Sequence, residues 1–434
     1  MDVGSVRHAG LLLHLSLAVA ATAPAAPPRR VAIVGGGLAG LASAVALLDA
    51  AHPPLEALHI LDPAEVGTGG ASAAAAGLLH PFTRTGGEIW RGREGFAAAV
   101  ALTERAEAHR RGAPPLASQT GLLRVARTAA QAERLRGLGA AAAAAAAAAP
   151  ATLEQRWLER DAAAHHAGGV KLGDDALGAA HAPAAITIDV PRYLCALWAM
   201  CREQGAAAGT EVEWRPERVG SLASLAPGGA AYDAVLCTAG ARVLSMTELA
   251  ALPLTPCRSQ NLLFPNEAGL ASPLIAGRYV IPKDGAATLL VGATFEYDEA
   301  ESCYRAPEPD EAEAALRPVI AELFPPLRTA RPVGCQAGVR ALPPRSHLGR
   351  VPIAGRLRGE AGGAPCWLLG GLGSRGLIHH ALLGKCMAEA ILTGDERALP
   401  PHTRRLQLGE RSWRQSSERS ERSERPAMSK LKID

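Results

Sequence analysis

The segment from Arg30 to Asp62 constrains the fold more than any other stretch of this 434-residue chain. Arg30-Val31-Ala32-Ile33-Val34 is a short apolar run, as a buried parallel strand requires. It leads directly into Gly35-Gly36-Gly37-Leu38-Ala39-Gly40, and an uninterrupted helix former follows from Leu41 to Leu48. A second strand, Ala57-Leu58-His59-Ile60-Leu61, ends in Asp62, 22 residues after Gly40. Each part has a physical reason to be there. Gly35 permits the tight turn, Gly37 lets the backbone approach a pyrophosphate, and Gly40 lets helix pack closely on strand. Leu38 and Ala39 open the helix whose free N–H groups and positive dipole end receive the phosphate charge. Asp62 stands where a carboxylate can accept hydrogen bonds from ribose hydroxyls. A glycine loop alone is weak evidence, but strand, loop, helix, strand and acid in this order specify a dinucleotide-binding βαβ unit.

A second small-residue loop, Gly67 to Phe82, follows the acid closely. Ser72 can offer a hydroxyl to the pyrophosphate, and Ala73 with its neighbours lets the backbone near an extended cofactor. NAD enzymes have no general need of such a loop, so FAD is the expected cofactor. The rest of the composition narrows the class. Apolar residues make up 48% of the chain, enough for a sizeable core. No run reaches the roughly 18 apolar residues of a membrane span, so no integral membrane association is expected. The eight cysteines are scattered without a CxxC pair, which argues against a zinc site or a disulfide framework. The reading is an α/β protein: a Rossmann-like FAD-binding domain with an interleaved antiparallel-sheet domain.

The ends read differently from the middle. Residues 1–29 join Arg7 and His8 to an apolar stretch and a Pro/Ala segment, with almost no acid after Asp2. That suits a targeting peptide, and the unpaired cysteines favour an organelle (chloroplast or mitochondrion) over the equally formatted secretory signal. Residues 402–434 are polar, repeat Ser-Glu-Arg, and cannot bury enough apolar surface to fold alone. This tail holds nine Lys/Arg against five Asp/Glu and the leader through Arg30 three against one, so the +3 chain leaves residues 31–401 at −3. An extensive basic surface is therefore not expected from the whole-chain charge. An alanine run at 140–149, closed by Pro150, extends a helix or loop in an insertion.

Four later segments carry a resemblance. Ile188-Asp189-Val190-Pro191 opens a helix; Tyr232 to Ala241, with Thr238 and Gly240, suits a further cofactor strand and its turn. Arg278 to Gly285 and Leu290 to Glu296 suit a hairpin, and Gly371-Leu372-Gly373-Ser374-Arg375-Gly376-Leu377 precedes a helix, with Gly338-Val339-Arg340 upstream. Together with the glycine loop, these resemble the FAD-dependent amine oxidases of the D-amino acid oxidase and glycine oxidase type. Within them the final heptad is most similar to the oxidase domain of tRNA-modifying enzymes of the MnmC type. The resemblance covers roughly residues 30–400. It implies a cofactor domain from 30–110, 186–262 and 335–401, and a substrate domain from 111–185 and 263–334.

The resemblance also implies a reaction: oxidation of a C–N bond, with hydride passing to the flavin, the imine hydrolysing, and molecular oxygen as electron acceptor. The substrate would be a small carboxylate-bearing amine or a modified tRNA carrying a carboxymethylaminomethyl uridine. A free glycine, sarcosine or D-amino acid is the alternative, and a flavin-binding protein without turnover is a third reading. Arg340 is the candidate carboxylate anchor, since a guanidinium grips a carboxylate bidentately; the competing reading is a surface arginine at a strand end. Tyr279 is a candidate for orienting the carboxylate, or a cross-strand packing residue. His80, near the expected flavin loop, is a candidate for tuning the amine's protonation, or a loop histidine satisfied by the backbone. Gly373, Ser374, Gly376 and Leu377 would present backbone N–H groups to the flavin, while Arg375 is a second anion contact or a phosphate-side cap. His379 and His380 read as packing, because no ligand partner has metal-site spacing, and no metal is expected. The sequence departs from the family after Arg340, where Ala341 to Pro352 carries Ser346 at the position of an expected acid. Only 34 residues of the sequence precede the glycine loop, so any coupled methylation is expected to belong to another protein.

Overall fold

The computed structural model describes residues 27–110, 112–146, 154–225, 232–246, 248–297, 301–357 and 364–404. The targeting-peptide reading of residues 1–26 and the disorder reading of 405–434 lie outside them. Two sheets organise the chain. The first has six strands in the order 353–356, 366–370, 234–237, 30–34, 57–61 and 211–215. All its pairings are parallel except that of the edge strand Ile353–Arg356 with Cys366–Gly370. Arg30–Val34 and Ala57–Leu61 are interior strands and almost wholly buried, which is why, Arg30 and His59 apart, their residues are apolar rather than alternating.

Helices cover one face of this sheet. Leu38–Ala50 packs against Gly376–Thr393, and the two backbones meet at Gly384, where an added Cβ would lie 3.0 Å from the carbonyl carbon of Ala42. Val190–Ala208 starts at Asp189, whose carboxylate caps it by accepting from Arg192 N at 3.1 Å. Its buried side chains, Tyr193, Leu194, Leu197 and Met200, join those of the other two helices in one core.

The second sheet has eight strands in the order 334–342, 255–265, 288–292, 278–283, 274–276, 123–126, 178–181 and 156–159. Every pairing is antiparallel except that of Leu274–Ala276 with Leu123–Ala126. One face buries Leu123, Val125, Leu262, Phe264, Val280 and Val291 against the helix Pro309–Leu323. The opposite face therefore carries the residues between them: Arg124, Asn261, Tyr279 and Gly292.

Two of the expected domain boundaries fall within strands. The boundary at 262/263 cuts the continuous strand Thr255–Pro265, and the boundary at 334/335 cuts Gly334–Leu342 after its first residue and gives the remainder to the cofactor domain. Both strands belong to the eight-stranded sheet, paired with each other over nine residues from Thr255↔Leu342 to Leu263↔Gly334. Neither strand alternates clearly between buried and exposed residues, so periodicity does not assign it to a sheet. The tail boundary at 402 also moves, since the turn Pro401–Thr403 is ordered and Thr403 is fully buried. The alanine run continues the helix Ala129–Ala146 as far as that helix is described.

Candidate functional site

The glycine loop is built by close approach. Gly35 has φ +103°, and an added Cβ there would fall 2.7 Å from the carbonyl oxygen of Thr238. A Cβ on Gly40 would lie 2.0 Å from the Gly35 oxygen. Thr238 braces the loop from the next strand, its hydroxyl donating to Gly35 O at 2.7 Å with Val34 O 3.1 Å away. Gly240, φ +60°, opens the turn after it. The helix Leu38–Ala50 has no side-chain cap and no acid in its first turn, so its positive end is uncompensated. Leu38 N donates to Ser72 Oγ at 3.2 Å, which puts that hydroxyl at the helix terminus. Asp62 accepts from Gly36 N at 2.8 Å and from Ala64 N at 2.9 Å. Each carboxylate oxygen keeps a lone pair for a further donor. Bare helix end, glycine cradle, hydroxyl and acid fit a dinucleotide pyrophosphate and ribose.

Three segments then converge around the loop that follows. Gly338 lies against it so closely that a Cβ would meet Ala74 Cβ at 2.9 Å and Ala71 Cα at 3.1 Å. Asn261 Nδ2 donates to Ala74 O at 3.0 Å, so the free face of the eight-stranded sheet is turned toward residues 71–74. Ala73 closes the short helix Gly70–Ala73 on this loop. From the other side comes the heptad: Gly373 (φ +56°), exposed Ser374 and half-buried Arg375 form one 3-10 turn. Gly376 starts the last helix with buried Leu377 behind it, and a Cβ on Gly376 would touch Leu38 at 3.2 Å. The two loops singled out in sequence thus meet.

On the sheet face, Tyr279 Oη donates to Asn261 Oδ1 at 2.6 Å, and burial pushes its hydroxyl up to about 12 even with Arg340 nearby. Arg340 Nη2 donates to Ser259 Oγ at 2.5 Å and approaches Cys257 Sγ at 3.7 Å. Its Nε is buried without a partner, and no carboxylate is bonded to it among the described residues. Phe295 lies between two guanidiniums, 5.4 Å from Arg340 Cζ and 4.7 Å from Arg278 Cζ. His80 is half-buried and stacks on Phe82 at 6.2 Å; its Nδ1 accepts from Phe82 N at 3.2 Å. Burial, with the Arg124 and Arg375 guanidiniums beside it, drives the imidazole down to about 3. A histidine so depressed is neutral at pH 7.

Sequence reasoning missed Arg124, Asn261, Arg278 and Phe295. Arg124 had a local signal: a lone charge inside the apolar run Leu122-Leu123-Arg124-Val125-Ala126. His379 and His380 are buried in the last helix; His380 joins Tyr193 Oη at 2.9 Å and Leu377 O at 2.9 Å, and His379 packs on Trp90. All eight cysteines are free thiols. Among the described residues one trio could hold a metal, His59, Glu211 and Glu213, at the far edge of the six-stranded sheet. There Arg215 already neutralises Glu213 at 2.7 Å. No helix among the described residues is long and apolar enough to cross a membrane.

Comparison with known proteins places this geometry. Residues 30–390 match the DAO family, described as FAD dependent oxidoreductase. The tRNA 5-methylaminomethyl-2-thiouridine biosynthesis bifunctional protein MnmC of Caulobacter sp. (strain K31) is 31% identical over 383 residues, covering 86% of this chain and 57% of that protein. The MnmC of Thiobacillus denitrificans is 29% identical over 397 residues, with 84% and 57% covered. The chain thus spans 57% of the length of these relatives. Among solved structures, glycine oxidase from Geobacillus kaustophilus superposes with a TM-score of 0.65 at 22% identity, covering 84% of this chain and 95% of that one. Iminodiacetate oxidase from Chelativorans sp. BNC1 gives 0.63 at 22%, with 84% and 96% covered. The chain belongs to the FAD-dependent oxidoreductase family of the DAO type, and its cofactor is FAD.

Proposed function

From that membership we propose that the chain oxidises the C–N bond of an amine that carries a carboxylate, and that the amine is the carboxymethylaminomethyl group of a tRNA wobble uridine. The observation that supports the carboxylate is Arg340. Its guanidinium is half-buried on the face turned toward the cofactor loop, and its only hydrogen-bonded neighbours among the described residues are Ser259 and Cys257. Ser259 fixes one edge of the fork and leaves Nη1 for an incoming anion. The support for the tRNA uridine is the name borne by the MnmC relatives at 29–31% identity.

Leu38, Ser72, Asp62 and the glycine loop would hold FAD, which supplies the hydride acceptor. The chain's own residues must then bind the amine, keep it neutral and shield it. Arg340 holds the carboxylate, and Tyr279, itself fixed by Asn261, packs beside it. Arg124, Arg278, Arg340 and Arg375 have no carboxylate hydrogen-bonded to them among the described residues. A field of that sign disfavours a protonated amine and exposes the nitrogen lone pair that C–H cleavage requires. Neutral His80 cannot supply this effect by titration; the guanidiniums supply it electrostatically. Molecular oxygen as the final acceptor belongs to the same proposal.

The test is anaerobic bleaching of the flavin band of the holoenzyme. Reduction by 5-carboxymethylaminomethyluridine, with glycine and sarcosine inert, is the expected result. Fast reduction by glycine, sarcosine or a D-amino acid would replace the tRNA reading by that of a free amino acid oxidase. No reduction by any of them would leave a flavoprotein without this turnover. Hydrogen peroxide formation on admitting air tests the acceptor.

A further inference from the structure

The mechanism above assigns Arg340 to the substrate carboxylate and gives Arg124 no part in binding it. Arg124 is 6% exposed, on a strand whose neighbours Leu123 and Val125 belong to the helix-side core. Its side chain is thereby on the face that carries Tyr279. The register makes this explicit: Arg124 pairs with Ile275, Ile275 with Tyr279, Tyr279 with Gly292, Gly292 with Asn261, and Asn261 with Gln336. Directly paired residues share a face, so these six form one row beneath the cofactor loop. Arg124 Nη1 donates to Arg84 O at 2.9 Å, which ties it to the continuation of that loop. Its Nε is buried with no partner. Burial lowers its guanidinium to about 10, with Arg375 contributing.

A buried guanidinium without a counter-ion is costly. The same sheet shows the ordinary remedy: fully buried Arg258 is paired with Glu296 at 2.5 Å and Glu308 at 3.3 Å. Arg124 and Arg375 have no such partner among the described residues, and the imidazole beside them is neutral. What would neutralise them must come from outside the chain. The helix end that would hold FAD's pyrophosphate is at Leu38 and Ser72, and Arg124 is hydrogen-bonded to neither. Nor do Arg124 and Arg340 grip one carboxylate. They sit on strands five steps apart, about 24 Å along a flat sheet at ~4.8 Å per step. Even with both side chains reaching inward, a free amino acid, on the order of 3.5 Å per extended residue, does not bridge them.

We infer that Arg124, with Arg375, forms a second oxyanion-binding locus that takes a phosphate of a nucleotide-sized amine substrate, while Arg340 takes its carboxylate. This deepens the reading under Proposed function and rests on it. His80 contributes a neutral Nε2–H donor to the locus, and Arg84 positions Arg124 through its carbonyl. Guanidiniums suit phosphate because their planar donors match its oxygens two at a time.

The experiment uses holoenzyme with its FAD and reads binding as well as turnover. Uridine monophosphate, which carries no oxidisable amine, is titrated by calorimetry beside uridine. The monophosphate is expected to bind at least tenfold tighter, and Arg124→Gln to remove that advantage while leaving the uridine affinity within twofold. Arg124→Lys should restore part of it, and Arg375→Gln, at a half-exposed position, should lower it several-fold without loss of folding. The locus is refuted if Arg124→Gln weakens both ligands equally, or shifts only the flavin midpoint potential. An Arg124-dependent response to iminodiacetate but not to the monophosphate would refute the phosphate assignment in favour of a second carboxylate. If no amine reduces the flavin yet monophosphate binding still depends on Arg124, amine oxidation fails and the locus stands.

Discussion

Replacing Gly40 by alanine tests the foundation of the cofactor site. The new Cβ would sit 2.0 Å from the Gly35 oxygen and 2.9 Å from Thr238 Oγ1. Ordinary contact begins near 3.4 Å, so the Gly35 carbonyl must retreat by more than an ångström. That carbonyl is the acceptor of the Thr238 hydroxyl at 2.7 Å, and its own amide is held by Leu61 O at 2.9 Å. The methyl therefore strains a loop anchored on two sides. Overpacking of this kind costs about 1–3 kcal/mol, and a broken hydrogen bond about 1 kcal/mol more. Because the displaced carbonyl belongs to the loop that must cradle the pyrophosphate, most of that cost falls on FAD affinity. At about 1.4 kcal/mol per decade, Gly40→Ala is expected to weaken FAD binding roughly 30- to 1,000-fold. Flavin fluorescence titration of apoprotein measures it. Gly220→Ala is the control, since no atom lies within 4 Å of its added Cβ and its φ is not positive. FAD affinity within threefold of wild type in Gly40→Ala, with an unchanged melting temperature, would refute the close-approach account of the loop.

Further expectations concern the sheet face and the core. Arg340→Gln should raise KM for the carboxylate-bearing amine about 10- to 100-fold, the equivalent of about 1.5–3 kcal/mol for a charged hydrogen bond, with FAD content unchanged. Unchanged KM in steady-state assays would remove Arg340 from the substrate site. Tyr279→Phe strips the donor from Asn261 Oδ1 in a buried position, and should lower stability by about 1–3 kcal/mol in urea melts; no change would show that water replaces the hydroxyl. His379 is buried and depressed to about 3 by burial first and Arg375 second. Its unfolded form gains a proton below about 6.5 that the folded form refuses, so its stabilising term is present above that pH and lost as pH falls. His379→Leu should therefore flatten the decline of stability between pH 6.5 and 5 by about 1.4 kcal/mol per pH unit. An unaltered slope in melts across that range would refute the buried-neutral assignment.

The sequence announced what is written locally and hid what depends on register. From Arg30 to Asp62 every element follows its neighbour within a few residues, so turn chemistry, periodicity and acid can be read in one pass. Arg340 stood out as a candidate because Gly338 two residues before it and the family likeness mark the segment. The row from Arg124 to Gln336 was not. Its pairings join residues 151 apart in the case of Arg124 and Ile275, and the side chains meet only when two separate chain segments share a sheet. The same physics explains the misplaced boundaries. A strand such as Thr255–Pro265, buried along nearly its whole length, carries no alternation to say which sheet receives it.

What distinguishes site from scaffold in this molecule is how each arginine's charge is met. Arg127 lies between Asp175 and Glu322, both at 2.6 Å, and Arg317 bonds Glu313 and three backbone carbonyls. Arg258, the most deeply buried, has Glu296, Glu308 and the Ala306 carbonyl. These are structural, and the chain supplies their counter-charges itself. Arg124, Arg278, Arg340 and Arg375 border the cofactor loops, and none is hydrogen-bonded to a carboxylate among the described residues. Fold stability alone would favour an acid or an apolar residue at each of them. Their common sign, and the shared face of Arg124 and Arg340, instead select for anions brought from outside, first the carboxylate that orients the amine and then a second oxyanion farther along the row. If that is their purpose, inserting the missing acid is the sharpest reversal. Ile275→Glu, placed between Arg124 and Tyr279, would give Arg124 the counter-ion it lacks. It should keep the flavin and the fold while abolishing monophosphate binding, and a variant that still binds the monophosphate as wild type does would overturn this reading of the uncompensated charges.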